Sequence, residues 1–389
     1  MRLRSWKARS KRALVAAALT TTVMAGTVGW TTGNEQQPLT GPPPGTSSWR
    51  ADHSLGVRLP DPATASPNRV AAFFDTLSAT RRHELMERHP SVVGNLDGAP
   101  TALRYEANSR FLRAERARER ARSTDPDLTA QERERARALV VRYGELLSPG
   151  RHILAFDPRG RGQVAEVYGD LERAEHVSVV VPGSDIDLST FDRANDKYGT
   201  PAGMGRSLYA AASHRTAVVA WVGYTTPVGL GTDAATGRLA EAGAPRLARF
   251  TQGLSASGAP RPAVFCHSYG SVVCGLAAPR LAATDLVVLG SPGMRADSVA
   301  DLNTGARVWA ARDDSDWIGK VPNVELFGLG HGEDPTAPGF GARRVPAEQA
   351  KGHTGYFAPG TDSLRAFVRI AGGGDSTDTD GTRTIGART

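Results

Sequence analysis

Residues 262–271 read Pro-Ala-Val-Phe-Cys-His-Ser-Tyr-Gly-Ser, a run in which apolar residues give way to small ones. The apolar residues before Cys266 predict a short buried strand, whereas the small residues that follow Gly270 predict a helix that packs closely on it. A strand that turns sharply into a helix exposes the residue in the turn at the carboxyl edge of a parallel sheet. The stretch therefore predicts a nucleophile elbow in which Ser268 presents its hydroxyl group.

The elbow motif is incomplete, because Cys266 occupies the position of the first glycine in the usual Gly-x-Ser-x-Gly pattern. A serine two residues before a glycine is a common pattern and unspecific on its own. The alternative is an ordinary strand-to-helix connection in which the serine hydroxyl caps the helix. The motif alone therefore does not establish a nucleophile, which also needs a base and an acid from other parts of the chain.

The chain changes character near residue 150, from segments dense in Arg, Glu and Ala to short β-branched runs that alternate with helical patterns. Such alternation predicts an α/β fold with a mostly parallel, doubly wound sheet and crossover helices. We predict strands over residues 153–157, 164–168, 177–181, 217–224, 263–267, 285–289, 306–311 and 323–329. An elbow in this setting is typical of the α/β-hydrolase fold, here with an N-terminal accessory helical segment.

A serine nucleophile needs a base and an acid, which in this fold follow the serine along the chain on loops after later strands. The predicted strand 306–311 leads into the acidic loop Arg-Asp-Asp-Ser-Asp-Trp-Ile, residues 312–318. Asp316 is favoured as the triad acid because it precedes an apolar pair that can fix the loop, and Asp313 is the alternative. Carboxylates in such a loop also commonly do no more than cap the following turn.

Two histidines follow the last predicted strand, His331 between two glycines and His353 in the segment Gly-His-Thr-Gly-Tyr-Phe. Distance from the strand slightly favours His331, and either imidazole could instead be a loop side chain bonded to backbone. His267 is less suitable, since a residue next to the nucleophile is expected to point away from the site. Spacing alone leaves the choice between His331 and His353 open.

An oxyanion hole takes one backbone donor from the residue after the nucleophile and another from the loop after an earlier strand. Tyr269 N–H would be the first donor. The predicted strand 177–181 ends in Pro-Gly-Ser, residues 182–184, so Ser184 N–H would be the second. A proline-glycine turn is also the commonest sort of turn, which is the simpler explanation of this segment.

The chain has two cysteines, Cys266 and Cys274, and both flank the predicted nucleophile. One lies at a strand end and the other one to two turns into the next helix, so a disulfide in an exported protein would fix the helix start against the sheet. The alternative is two small buried thiols. No His-x-x-x-His or paired-cysteine spacing is present, and we expect neither a metal nor a cofactor.

Residues 1–30 have the layout of an export signal, with a basic run before an uncharged and largely apolar stretch. The alternative is an uncleaved membrane anchor, although the apolar stretch is short for a bilayer span. Residues 31–65 are rich in Pro, Gly, Ser and Thr and are predicted to be a linker. We predict an accessory helical region over 66–149, the α/β-hydrolase domain over 150–371 and a disordered tail over 372–389.

The charge balance gives no indication of nucleic-acid binding. The chain carries a net charge of +7, but six basic residues without an acid lie in the predicted export signal, so only +1 remains after its removal. Basic and acidic residues are interleaved in the helical region, which is typical of solvated helix faces with ion pairs. We therefore expect no nucleic-acid partner, and no stable membrane insertion once the signal is removed.

A series of separate motifs runs in order along roughly residues 66–371. The motifs are residues 94–100 (Gly-Asn-Leu-Asp-Gly-Ala-Pro) with Arg104 and Asn108 downstream, the strand end 181–184, the elbow 267–271, the segment 290–293 (Gly-Ser-Pro-Gly), Asp334-Pro335 followed by residues 340–342, and residues 352–357. Together they resemble an actinobacterial family of α/β-hydrolases that was first described as a domain of unknown function. The resemblance implies the α/β-hydrolase fold, a serine triad and an accessory N-terminal helical part.

Carried over position by position, the resemblance supports Ser268 as the nucleophile. It also decides the base in favour of His353, which lies in the family's His-x-x-Tyr-like segment, whereas the acid is less sharply fixed. Cys266 departs from the more usual glycine. A tight turn between two helices explains residues 94–100 most simply.

These features together predict a secreted serine hydrolase that cleaves an ester-type acyl bond through Ser268, His353 and Asp316. Its substrate would be a small-molecule or lipid-like acyl compound. One alternative is an extracellular acyltransferase that passes the acyl group to a cell-envelope alcohol. Another is a non-catalytic binding module on the same scaffold, since a fold does not guarantee its chemistry.

Overall fold

The computed structural model describes residues 35–326 and 328–374. The predicted export signal, residues 1–30, and most of the predicted tail, residues 375–389, lie outside the described part of the chain. Within the described part, none of the helices combines the length and the apolar character that a bilayer crossing requires.

The described residues form eleven β-strands, eight of which belong to one sheet. The strands are β1 (His152–Asp157), β2 (Gln163–Tyr168), β3 (His176–Val181), β4 (Thr216–Val222), β5 (Ala263–His267), β6 (Asp285–Leu289), β7 (Gly293–Ala296), β8 (Arg307–Ala311), β9 (Glu325–Leu326), β10 (Leu329–Gly332) and β11 (Arg343–Arg344). The large sheet has the order β1-β2-β4-β3-β5-β6-β8-β11, and β7, β10 and β9 form a small second sheet. Only the β1–β2 and β2–β4 pairs of the large sheet are antiparallel, so the predicted mostly parallel sheet is confirmed.

Eleven α-helices accompany the strands in the described part of the chain. They are α1 (Thr46–Arg50), α2 (Pro67–Asp75), α3 (Ala79–Arg88), α4 (Pro90–Val93), α5 (Thr101–Arg122), α6 (Ala130–Leu146), α7 (Pro201–Ala211), α8 (Thr232–Ala235), α9 (Arg238–Ala256), α10 (Gly270–Ala277) and α11 (Asp362–Ala371). The first six precede the sheet and form the accessory helical region.

Helices cover both faces of the large sheet, because successive side chains of a strand point to opposite faces. In β5, Phe265 belongs to a buried cluster with α7 and with Phe367 of α11. Its neighbour Val264 belongs to a second cluster, with Leu247 of α9 and Val272 of α10. This double cover explains why the central strands are continuous β-branched and apolar runs, and it confirms the predicted α/β-hydrolase fold.

The prediction of a linker over residues 31–65 is wrong for its described part. The segment contains α1, in which Trp49 is fully buried and donates its Nε1–H to the carbonyl oxygen of Pro60 at 2.8 Å. Leu59 is buried in the same apolar cluster, which also takes in residues of α2 to α5. The Pro- and Gly-rich composition predicted flexibility, but one large aromatic side chain is enough to fix a short segment on a helical surface.

Residues 94–100 connect the accessory helices to the edge of the large sheet. The side chain of Asn95 accepts a hydrogen bond from the N–H of Phe156 in β1 at 3.0 Å and donates to its carbonyl oxygen at 2.7 Å. Asn108 in α5 donates to the carbonyl oxygens of Gly94 and Ile153, at 2.9 and 3.1 Å. Because β1 is an edge strand, these amides satisfy backbone groups that would otherwise be open to pairing.

The prediction of one strand over residues 323–329 is wrong in its extent. Strand β9 ends at Leu326 and β10 begins at Leu329, and the two strands pair antiparallel. Gly328 and Gly330 have φ angles of 79° and 83°, in the left-handed region that favours glycine, and they turn the chain back on itself. Strand β10 then pairs with β7 instead of extending the large sheet.

Candidate active site

Ser268 lies in the sharp turn between β5 and α10. Its φ of 53° places it in the left-handed region, where a non-glycine residue costs roughly 1–3 kcal/mol and persists only if its surroundings hold it. Its N–H donates to the carbonyl oxygen of Leu289 at the end of β6, at 3.0 Å. This is the strained backbone geometry that is expected of a nucleophile elbow.

Two glycines allow neighbouring backbone to approach this turn. A Cβ atom on Gly183 would lie 2.6 Å from the Cβ of Ser268, and one on Gly270 would lie 2.6 Å from the carbonyl oxygen of Pro182. Neither distance leaves room for a side chain. The loop that follows β3 therefore lies directly against the elbow.

Cys266 and Cys274 are joined by a disulfide, with their Cα atoms 6.5 Å apart. Both residues are fully buried. Because Cys266 is in β5 and Cys274 is in α10, the bond links the strand before Ser268 to the helix after it. Of the two alternatives that the sequence leaves open, the structure has the bridged one.

His353 and Asp316 form a hydrogen-bonded pair. The imidazole Nδ1 of His353 lies 2.8 Å from Oδ1 and 3.0 Å from Oδ2 of Asp316. Asp316 is on the loop after β8, and His353 is on the segment that precedes α11. The carboxylate thereby fixes the tautomer of the imidazole with its proton on Nδ1, which leaves the Nε2 lone pair free to accept a proton.

The Asp316 carboxylate is enclosed by donors. Besides His353, it accepts hydrogen bonds from the hydroxyl of Tyr356 at 2.6 Å and from the N–H of Ile318 at 2.9 Å. Burial would raise the pKa of Asp316, but the hydrogen bonds from His353, Tyr356 and Ile318 together hold that pKa below its ordinary value. Asp316 is therefore ionised at neutral pH and can stabilise an imidazolium on His353.

Asp313, the alternative acid, is bonded elsewhere. Its Oδ1 accepts hydrogen bonds from the N–H and the hydroxyl of Ser315, in the turn that leads to Asp316. The hydroxyl of Ser315 is also 2.9 Å from the N–H of Gly352, the residue before His353. Asp313 thus supports the acidic loop, and the carboxylate that contacts the imidazole is Asp316.

His331, the alternative base, lies in β10 and contacts a different part of the molecule. Its Nε2–H donates to the carbonyl oxygen of Ala234 at 2.7 Å, and its ring packs edge-on against Tyr269. Burial, with Arg295 nearby, lowers the pKa of His331 to about 4, so this imidazole is neutral at physiological pH. Spacing from the last strand slightly favoured His331, but the imidazole that contacts Asp316 is that of His353.

His267 faces His353, although a residue beside the nucleophile was expected to point away from the site. Its Nε2 lies 2.7 Å from the backbone carbonyl oxygen of His353, and the two rings are 4.7 Å apart. Burial and the neighbouring His353 lower the pKa of His267 to about 3. The His353 ring also contacts Trp317, whose ring lies 4.7 Å away. The His353 imidazole therefore packs against two rings.

Gly290 brings the acid-base pair next to the elbow. It follows Leu289, which accepts the hydrogen bond from the Ser268 amide, and a Cβ atom on Gly290 would lie 2.8 Å from Oδ2 of Asp316 and 3.1 Å from the His353 ring. The three predicted triad residues thus lie around one short backbone segment. Among the described residues, neither the Ser268 hydroxyl nor Nε2 of His353 has a hydrogen-bond partner, so these two atoms do not bond to each other in the structure.

The two predicted oxyanion donors lie beside the nucleophile. Tyr269 follows Ser268 at the start of α10, and Ser184 follows Gly183 in the loop that touches the elbow. Within the part of the chain that the structure describes, neither amide donates to a protein acceptor. The hydroxyl of Tyr269 is directed elsewhere and donates to the carbonyl oxygen of Thr236 at 2.7 Å.

This arrangement combines a hydroxyl on a strained turn, an imidazole oriented by an ionised carboxylate, and two amides without protein acceptors. Such a set can remove a proton from a serine and stabilise negative charge on a carbonyl oxygen. No cluster of three or more His, Cys, Asp or Glu side chains that could hold a metal ion occurs in the described ranges.

Sequence reasoning assigned no role in the site to four of its residues: His267, Gly290, Trp317 and Tyr356. A signal existed for Tyr356, which lies three residues after His353 in the same motif. Gly290 follows a predicted strand, where a glycine often marks a close approach of backbone. The contacts of His267 and Trp317 depend on the packing of distant loops, and no local pattern encodes them.

A family profile described as Alpha/beta hydrolase matches residues 157–326. The matched segment runs from the end of β1 to β9 and contains Ser268 and Asp316, and it ends before His353. The match therefore covers the elbow and the central sheet on which the candidate site is built.

Two curated relatives are uncharacterized mycobacterial proteins. One from Mycobacterium tuberculosis is 29% identical over 387 residues, which cover 84% of this chain and 58% of the relative. One from Mycobacterium bovis is 33% identical over 162 residues, which cover 38% of this chain and 58% of the relative. The chain therefore matches little more than half the length of these relatives.

Among solved structures, the crystal structure of esterase PE8 aligns with a TM-score of 0.36 and 16% identity, covering 52% of this chain and 95% of that chain. XC6422 from Xanthomonas campestris, described as an a/b serine hydrolase without lid, aligns with a TM-score of 0.34 and 18% identity, covering 57% and 95%. The family profile covers the elbow and the parallel sheet described above, so the chain has the α/β-hydrolase fold and is similar to uncharacterized mycobacterial proteins.

Proposed function

We propose that this protein is a serine hydrolase that cleaves carboxylic esters through a covalent acyl-enzyme, with Ser268 as nucleophile, His353 as base and Asp316 as acid. The observation that carries the proposal is the common position of the strained Ser268 turn and the Asp316–His353 pair around Gly290. A nucleophile, a base and a group that orients the base are the three parts that this chemistry needs.

In the first step the Ser268 oxygen attacks the ester carbonyl carbon while Nε2 of His353 takes the hydroxyl proton. The carbonyl oxygen becomes an oxyanion, which accepts hydrogen bonds from the amides of Ser184 and Tyr269. When the oxyanion collapses, the carbon–oxygen bond to the leaving alcohol breaks, and His353 passes its proton to that oxygen. The products of this step are a free alcohol and an ester of Ser268.

In the second step a water molecule attacks the Ser268 ester. His353 takes a proton from the water and, after the tetrahedral intermediate forms, returns it to the Ser268 oxygen. The carboxylic acid leaves and the enzyme is restored. Asp316 keeps its negative charge throughout, since its hydrogen bonds from Tyr356 and Ile318 stabilise the carboxylate while His353 is positively charged.

The proposal includes secretion. It is supported by the export-signal layout of residues 1–30 and by the Cys266–Cys274 disulfide, since such bonds persist mainly in oxidising compartments. When the full chain is expressed in an actinobacterial host, the processed protein should appear in the medium. When residues 31–389 are expressed without the signal, the protein should stay in the cell. Retention of the full chain in the cell would contradict this part.

The decisive experiment is labelling with a fluorescent fluorophosphonate, which reacts with activated serine nucleophiles. The protein should be labelled, Ser268→Ala should not be, and Ser48→Ala, at an exposed serine in α1, should be labelled like the parent. Hydrolysis of p-nitrophenyl acetate should follow the same pattern. Equal labelling of the parent and Ser268→Ala would refute the proposal.

A further inference from the structure

The exposed large apolar side chains of this protein are not evenly distributed. Six are exposed in the described part of the chain: Val57, Val141, Val228, Leu230, Trp317 and Val324. Four of the six lie on only two loops, residues 223–231 after β4 and residues 312–324 after β8. Single exposed apolar residues are normal, but a concentration beside a candidate site points to a ligand.

The two loops lie on opposite sides of the nucleophile. Strands β4, β3, β5, β6 and β8 are consecutive and parallel in the sheet, so their carboxyl ends lie along one edge. The Ser268 turn follows β5, in the middle of this series. The loop after β4 is therefore two strands to one side of Ser268, and the loop after β8 is two strands to the other side.

The loop after β4 is attached to the segment that carries the predicted oxyanion donor. The N–H of Asp185 donates to the carbonyl oxygen of Pro227 at 2.8 Å, and the Asp185 carboxylate accepts from the N–H of Gly229 at 2.8 Å. Asp185 directly follows Ser184. Val228 and Leu230, of which 48% and 68% are exposed, thus border the oxyanion side of the site.

The backbone of this loop is held by hydrogen bonds, although its apolar side chains face water. The carbonyl oxygen of Gly223 accepts from Arg246 at 2.6 Å, and that of Thr226 accepts from Arg161 at 3.0 Å. A fixed backbone presents its side chains without an ordering cost when a ligand binds. Val228 and Leu230 therefore form a preorganised apolar surface.

The loop after β8 borders the base. The Trp317 ring lies 4.7 Å from the His353 ring and is 38% exposed. In the proposed reaction the leaving oxygen must receive its proton from Nε2 of His353, so the leaving group lies on the Trp317 side. The acyl group then extends from Ser268 to the opposite side, where Val228 and Leu230 lie.

We propose that Val228 and Leu230 bind an apolar acyl chain, and that Trp317 forms an apolar platform for the leaving alcohol. The inference rests on the proposed serine hydrolase activity and names its substrate class: esters that are apolar on both sides of the scissile bond. Binding is favourable because a hydrocarbon chain removes the exposed apolar surface of each side chain from water. The two surfaces recognise different halves of the substrate and act independently.

The test uses two isomeric esters, ethyl decanoate and decyl acetate, which place the same long chain on opposite sides of the ester bond. The measured quantity is the ratio of kcat/KM for ethyl decanoate to that for decyl acetate. The double variant Val228→Ser/Leu230→Ser should lower this ratio by about tenfold, and Trp317→Ser should raise it, since contacts of one or two methylene groups discriminate by about this factor. A merely structural effect would not move the two variants in opposite directions.

The matched control is Val57→Ser/Val141→Ser, which removes exposed apolar side chains that lie on neither loop. Its ratio and both of its rates should equal those of the parent. The proposal is overturned if Val228→Ser/Leu230→Ser and Trp317→Ser leave the ratio within twofold of the parent, or if both shift it in the same direction. Absence of all ester hydrolysis and of Ser268 labelling in the parent would instead refute the serine hydrolase itself, and this proposal with it.

Discussion

The Nε2 atom of His267 lies 2.7 Å from the backbone carbonyl oxygen of His353. Because a carbonyl oxygen only accepts, the imidazole donates, and its lowered pKa of about 3 keeps it neutral. His267 immediately precedes Ser268 on β5. One short hydrogen bond therefore connects the residue before Ser268, the proposed nucleophile, with the backbone of His353, the proposed base.

The first prediction concerns His267 as a positioning residue. His267→Phe keeps a ring beside His353 but leaves its carbonyl oxygen without the donor, and we expect kcat to fall by about 10- to 100-fold, since small misplacements of catalytic groups have effects of this size. His267→Gln can donate from its amide and should retain most of the activity. Ester hydrolysis by both variants, measured across pH, checks the prediction.

The pH dependence of kcat/KM distinguishes a proton-transfer role of His267 from a positioning role. Because His267 moves no proton, the pH dependence of kcat/KM should keep its shape in both variants while kcat changes. Circular dichroism should show the same fold in each. Parent-like rates in His267→Phe would show that the hydrogen bond to His353 does not position the base.

The second prediction separates the two candidate acids. Asp316→Asn removes the negative charge beside His353 and lets an amide N–H face Nδ1, which favours the wrong tautomer, so kcat should fall by about ten-thousand-fold. Asp313→Asn removes a carboxylate that bonds only to Ser315 among the described residues and should cost less than about tenfold. Similar losses in the two variants, with p-nitrophenyl acetate as substrate, would show that the acid is misassigned.

The third prediction concerns the strain at Ser268. Glycine adopts a φ of 53° without the steric cost that a Cβ atom brings, whereas alanine retains that cost. Ser268→Gly should therefore be more stable than Ser268→Ala by about 1 kcal/mol, and both should be inactive. Urea unfolding at equilibrium measures the difference. A Ser268→Ala variant that is at least as stable as Ser268→Gly would mean that the turn is not strained.

The fold and the sharp turn that carries Ser268, the proposed nucleophile, could be predicted because their signals are local. The change from an apolar run to small residues around Ser268 is visible within ten residues, and the alternation of strands and helices is visible along the chain. The base could not be chosen from spacing, because it depends on which later loop returns to the sheet edge. His331 is closer to β8 in sequence, yet it is held in the small sheet by Ala234.

Composition misled the prediction in one further region. Residues 31–65 were predicted to be a linker from their prolines and glycines, but Trp49 anchors α1 in the apolar cluster of the accessory helical region, Leu39 bonds to Thr225 in the loop after β4, and Gln36 bonds to Asp233 in α8. Composition averages over a segment, whereas a single buried side chain or backbone hydrogen bond can fix it. The role of residues 94–100 was missed for a similar reason, since the partner of Asn95 is a distant edge strand.

The last prediction concerns stability in acid, for which His331 is the cleanest probe because it lies outside the proposed triad. Its pKa is lowered to about 4 in the folded protein by burial, whereas an unfolded chain binds the proton with a pKa near 6.5. The unfolded state therefore binds more protons between these two values. The contribution of this neutral imidazole to stability is complete above about pH 6.5 and is lost as the pH falls toward 4.

His331→Gln keeps a donor for the carbonyl oxygen of Ala234 but does not titrate. Between pH 7 and pH 5 the parent should lose about 2 kcal/mol of unfolding free energy through His331 alone, from 1.36 kcal/mol per pH unit below 6.5. The variant should lose correspondingly less over the same interval, although it starts from a lower value at pH 7. Urea unfolding of both proteins at the two pH values gives the difference. Equal losses would mean that folding does not lower the pKa of His331, so that burial beside Tyr269 does not disfavour its charged form.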